Sequence, residues 1–137
     1  MRDAPWLALV RDLTDEGYES PYLDRLRRRM DLTGPRESLE KEIIREMAAS
    51  LGRAEDKINV ALLRLELAGH ALAAAPDPAA RRHCAGAFNA ERAHALTARW
   101  ELMIQREAIG LHRNEVLDRL YPIPPPAVVE PSGAPPT

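Results

Sequence analysis

Three short stretches of the chain carry residues able to do chemistry. In "ERAH", residues 91–94, Glu91 and His94 stand three apart, so on a helix they share a face, the spacing with which helix bundles hold metal ions. In "IQREA", residues 104–108, Gln105, Arg106 and Glu107 interrupt an apolar run. A carboxylate among apolar neighbours needs a partner or becomes a candidate acid–base group. In "RLYPIPP", residues 119–125, Arg119, Pro122 and Pro125 satisfy Arg-x-x-Pro-x-x-Pro, the pattern read by SH3 domains. Prolines that close a helix and begin a disordered tail account for that stretch equally well. Cys84 follows His83, but neighbours on a helix point about 100° apart and form no nucleophile–base pair, so a small core residue is expected. No Gly-rich phosphate loop, nucleophile elbow or paired-aspartate signature is found.

Each stretch has a structural alternative. A metal site on Glu91 and His94 needs a carboxylate from the facing helix, where residues 60–63 read "VALL"; Glu66 lies about one turn away, and Glu55 and Asp56 further. Glu91, His94 and Glu66 are the ligands if metal binds, and a surface histidine is the favoured reading. The stretch is superficially similar to encapsulated ferritins, helical hairpins that build an iron site at a dimer interface. His70, His83 and His112 form no ligand spacing. "RLRRR", residues 25–29, is flanked by Asp24 and Asp31 without interleaved aromatics, and is read as a solvated helix face.

The elements that position these residues are helices. Aromatics make up 4% of 137 residues, and alanine is abundant, which suits closely packed helices and supplies a sheet core poorly. Nineteen basic and 21 acidic residues give a net charge of −2, no footprint for nucleic acid. One cysteine excludes an internal disulfide, and no apolar run approaches the roughly 20 residues of a membrane span. A cytoplasmic protein is expected, with no cofactor.

Two short N-terminal helices are predicted within residues 1–35: one capped by Asp3, with Pro5 in its first turn, stopping before Gly17, and one opening at Ser20 with Pro21 at its first position, ending before residues 33–35. A long helix runs from about 38 to 75, its apolar or small residues recurring every ~3.67 positions. Gly52 and Gly69 interrupt it, and Gly69 falls on the apolar stripe, which suggests a neighbouring backbone passing close. "PDPAA" at 76–80 turns the chain into a second long helix, about 79–112, so the two fold back as an antiparallel hairpin. A short helix follows Asn114 up to Pro122, and residues 122–137 are expected to be a flexible proline-rich tail.

The second long helix carries two apolar stripes. Leu96, Trp100, Met103, Ile104, Ala108 and Leu111 form the first; Cys84, Ala87, Phe88, Ala95, Ala98, Leu102 and Ile109 form the second. Coverage on both sides is expected, by the first long helix and by either the N-terminal helices or a second subunit, with Phe88, Ala95, Leu102 and Ile109 as the interface. Counting from the turn puts Glu107 opposite Arg45 and Glu91 near Arg64, as ion pairs that fix the register.

Over residues 39–126 the sequence resembles an uncharacterised family of small bacterial α-helical proteins, through "LEKEIIREMAASLGRAEDKINVALLRL" and "WELMIQREAIGL" followed by "LDRLYPIP". The resemblance implies no activity, cofactor or site, and makes "QRE" typical of the family. The expectation is an all-α fold, a long antiparallel hairpin with short N-terminal helices that completes a bundle by dimerising. The expected function is a non-catalytic interaction or scaffold protein that forms a homo-oligomer or packs on a protein partner, with no nucleic acid or membrane involved. A ferritin-like metal protein, or a small-molecule-binding bundle with Arg106 and Glu107 in its pocket wall, are the alternatives.

Overall fold

A computed structural model describes residues 5–30 and 39–129. Asp3, Asp31, the stop at residues 33–35 and the last residues of the tail lie outside these segments. Five helices and no strand occur among the described residues: α1 (Leu7–Asp15), α2 (Pro21–Met30), α3 (Leu39–Ala73), α4 (Pro78–Ala108) and α5 (Glu115–Leu120).

Local chemistry sets most of their ends. Gly17 closes α1 at φ +75°, a conformation that costs other residues a Cβ clash. Ser20 then opens α2, its Oγ accepting the Tyr22 N–H at 3.2 Å, with Pro21 at the first helical position. Asp77 opens α4 in the same way, accepting the Ala80 N–H at 2.7 Å. The C-terminus of α4 comes four residues earlier than expected. Gly110, at φ +90°, ends it, and the Leu111 N–H returns to the Arg106 carbonyl at 2.9 Å.

Helices α3 and α4 pack along each other as the expected antiparallel hairpin, with Ser50 opposite Gln105 and Lys57 opposite Glu101. Ala54, Ala61, Ala85, Ala95 and Ala98 are all buried, and residues this small let helix axes approach closely. Helix α2 lies across α3 of its own chain, with α1 beside it, and buries Leu23 and Leu26, each burial stabilising the fold by about 1.5–3 kcal/mol. Leu117 and Tyr121 join the same core from α5 and the residue after it.

Three expectations are revised. The stripe holding Ala95 and Leu102 faces inward, at 0% and 1% exposure, while Leu96, Trp100, Ile104 and Leu111 of the other stripe are exposed. The N-terminal helices cover α3, so they leave that outer stripe bare. Residues 122–129 form no helix or strand, yet they are held on α4: Ile123 packs on the core and Asn89 hydrogen-bonds the Ala127 backbone. The neighbour of Gly69 is the Phe88 ring rather than a backbone.

The two helix glycines therefore differ. A methyl at Gly69 would meet Phe88 at an ordinary 3.6 Å, whereas one at Gly52 would strike the Arg29 guanidinium, which lies over the helix to reach Asp56. In urea melts, Gly69→Ala is expected to stabilise the protein by about 0.5–1 kcal/mol. Gly52→Ala should show no gain or a loss, because Arg29 must leave a buried carboxylate; an equal gain at both positions would refute this account.

Candidate functional site

The "QRE" residues close the end of α4. Gln105 Oε1 accepts from Ser50 Oγ at 3.2 Å across the hairpin. Arg106 and Glu107 hold the turn that follows: Arg106 Nη2 donates to the Arg113 carbonyl at 3.0 Å, and Asn114 Nδ2 donates to Glu107 Oε1 at 3.1 Å. Glu107 is exposed, and the expected pairing with Arg45 is replaced by that bond from Asn114. Glu107 lies on the same side of α4 as Trp100 and Ile104, the stripe that faces solvent.

The proposed metal ligands do not converge within one chain. Glu91 and His94 approach to 3.6 Å, but the Glu66 carboxylate accepts from Ser20 Oγ at 2.7 Å and Tyr18 Oη at 3.1 Å. No group of three or more His, Cys, Asp or Glu side chains suited to a metal occurs among the described residues. Arg64 and Glu91 line a common groove without an ion pair between them, Glu91 having turned to His94.

That groove, about 750 Å³, has an apolar floor of Trp6, Val60, Ala61 and Ala98. Arg106 and Glu107, expected in a pocket wall, do not line it. Of the expected interface residues, Ala95 and Leu102 sit inside the hairpin, Phe88 packs on the core against Gly69, and Ile109 is half-buried at the end of α4.

Polar residues on one side of α3 dock the N-terminal helices. Asp56 meets Arg29 at 3.2 Å, Asn59 accepts from Arg25 at 3.3 Å, and Glu66 takes Tyr18 and Ser20. The Arg25 guanidinium lies between the rings of Tyr22 and Tyr121, 5.5 and 5.1 Å from their centroids, contacts worth about 0.5–2 kcal/mol. Arg25 and Arg29 thus leave the solvated face predicted for "RLRRR", while Arg27 and Arg28 remain exposed on it.

Among the described residues, the ionisable groups that are displaced from ordinary behaviour belong to this seam. Burial raises the Tyr18 pKa to about 12, assisted by the charge of Glu66 and by the hydrogen bond to it. Burial also raises Tyr22 and Tyr121. For Asp56 it outweighs the opposing Arg29, leaving the carboxyl raised. Each cause is packing or docking.

No protein-family model, curated protein or solved structure matches the chain. Function is therefore argued from surface and geometry. The outer face is the notable surface: Leu96, Trp100, Ile104 and Leu111 of α4 are 37–60% exposed, and Ile43, Ile44 and Met47 on the first turns of α3 are 47–66% exposed. No helix among the described residues is long and apolar enough to cross a membrane.

Sequence reasoning missed the polar face of α4. Asn89, Arg92 and Arg99 hydrogen-bond the backbone of the C-terminal segment. The signal available was their near-helical spacing beside the outer stripe.

Tyr18 gives a test of the docking seam. Its pKa lies at about 12 in the folded chain, against about 10 when unfolded. The folded state therefore holds its proton more tightly between these values. The stability this confers is complete below pH ~10 and is lost as pH rises towards 12. Denaturant melts from pH 9 upward should show this fall, and Tyr18→Phe should make it shallower; an unchanged slope in the variant would exclude Tyr18 as its source.

Proposed function

We propose that the protein is a non-catalytic helical interaction module that pairs with a second copy through its outer apolar face. The carrying observation is the size and position of that face. Trp100 is 60% exposed and Ile104 42% exposed on α4, and Ile44 and Met47 are 66% and 47% exposed on α3. Large apolar side chains left exposed in a row along a helix mark an interaction surface.

The second copy is favoured by fit. Helix α4 ends at Ala108 opposite the region of Ser50, so the first turns of α3 run on past it. From Leu39 to Ala48 they extend about 14 Å, and the helical part of the stripe, Leu96 to Ala108, extends about 18 Å. A two-fold pairing can lay the overhang of each copy on the stripe of the other, one patch serving both sides. Trp100 and Met47 then supply the aromatic and methionine contacts enriched at interface centres. The non-catalytic part of the reading is supported by the displaced ionisable groups, each of which serves packing or docking.

Light scattering on a sizing column tests this. The full chain is expected at twice the 15.3 kDa of one copy. The pair Trp100→Glu and Ile104→Glu, both on exposed sites, should give a folded monomer, with the helical circular dichroism signal retained. A full-length monomer at roughly 100 μM, or a dimer that the pair leaves intact, would rule out self-association through this face; dimers below that strength would be weaker than about 5.5 kcal/mol.

A further inference from the structure

The C-terminal segment is held from behind and bare in front. Arg99 Nη1 donates to the Tyr121 carbonyl at 3.1 Å and Arg92 Nε to the Pro124 carbonyl at 2.7 Å. Asn89 grips Ala127 with both ends of its amide, Nδ2 donating to the carbonyl at 3.0 Å and Oδ1 accepting the N–H at 2.8 Å. The anchored carbonyls belong to residues 121, 124 and 127, a repeat of three. Three residues make one turn of a polyproline II helix, about 9 Å. The seven residues from Arg92 to Arg99 span about 10.5 Å of α-helix, so the first two anchors are in step with it.

The prolines suit this arrangement. Pro122, Pro124, Pro125 and Pro126 have no N–H to satisfy and carry a preset φ, while Ala127, a residue with an N–H, meets the one acceptor.

Most of the segment's side chains face water: Pro122, Pro124, Pro125 and Pro126 are exposed, and Val128 and Val129 are 86% and 51% exposed. Arg119, on the last turn of α5 and three residues before Pro122, is exposed and has no ion-pair partner among the described residues. A segment ordered only to complete the core would turn its apolar side chains inward, as Ile123 does. Here three polar side chains of α4 hold the backbone, and Arg119, the four prolines and Val128 are left exposed.

We propose that residues 122–128 form a preset proline ridge, with Arg119 presented beside it from the last turn of α5, that docks into an aromatic-lined groove of a partner protein. Pro122 and Pro125 occupy the spaces between its aromatic rings, and Arg119 meets a carboxylate on its rim. The anchoring by Asn89, Arg92 and Arg99 removes ordering cost that a free peptide meets on binding. Docking of the ridge does not depend on self-association.

The probe is a purified SH3 domain that reads Arg-x-x-Pro-x-x-Pro peptides, titrated into the full chain and into a free peptide of residues 117–129. The full chain is expected to bind more tightly than the peptide, by a factor of about three or more. Arg119→Ala and Pro125→Ala, both exposed, should each weaken binding about tenfold or more. Asn89→Ala, with the helical signal unchanged, should lower the affinity of the full chain to that of the peptide. The proposal is overturned by absence of binding to the full chain, whether or not the peptide binds, by weaker binding than the peptide shows, or by binding that Arg119→Ala and Pro125→Ala leave unaltered.

Discussion

The close approach of α3 and α4 is the constraint on which the rest of the structure depends. Five buried alanines, Ala54, Ala61, Ala85, Ala95 and Ala98, contribute little side-chain volume to the core, so the hairpin alone cannot bury much apolar area. The larger core residues need other cover, and α2, α5 and Tyr121 supply it. A hairpin of this kind is a frame rather than a complete core.

Placement of that cover is governed by polar groups. Asp56, Asn59 and Glu66 would be costly on a buried helix face without partners. Each has one on the N-terminal segment, at Arg29, Arg25 and the Tyr18–Ser20 pair. Their pattern along α3 admits few positions for α2, because sliding it by a turn would leave a carboxylate unpaired. Arg25 also donates to the Leu120 carbonyl at 3.2 Å and stacks on Tyr121. One side chain thereby couples the N-terminal helices to the chain leaving α5. The raised Asp56 carboxyl records the cost of such a seam, since burial there exceeds what Arg29 returns.

Much of the hairpin was legible because its signals are local. The caps at Ser20 and Asp77, the prolines at the first positions of α2 and α4, and the unbroken apolar period of α3 each need only a few neighbouring residues. The errors arose where a distant contact decided the outcome. Two stripes on α4 were apparent, but which one α3 would cover was decided by long-range packing, which buries Ala95, Ala98 and Leu102. The same limit explains why Glu66 passed for a possible metal ligand: its partners, Tyr18 and Ser20, lie more than forty residues away in the chain. Glu107 follows from the same choice: it sits on the stripe that α3 leaves uncovered, and is exposed with Trp100 and Ile104.

The C-terminal segment shows how composition and structure can separate. Its proline content marks it as unable to build a core, and it builds none. Order reaches it from α4 instead, through side chains that contact mainly carbonyls, the groups proline keeps. Such a contact is indifferent to the side chains it orders, so Pro122, Pro125 and Val128 have no part in holding the segment in place. The outer apolar stripe of α4 is likewise left out of the hairpin seam that Ala95, Ala98 and Leu102 form. One helix therefore carries three faces: small residues inward against α3, polar residues on the C-terminal backbone, and apolar residues to solvent. Only the first closes the hairpin; the second orders the C-terminal segment, and the third is left to solvent.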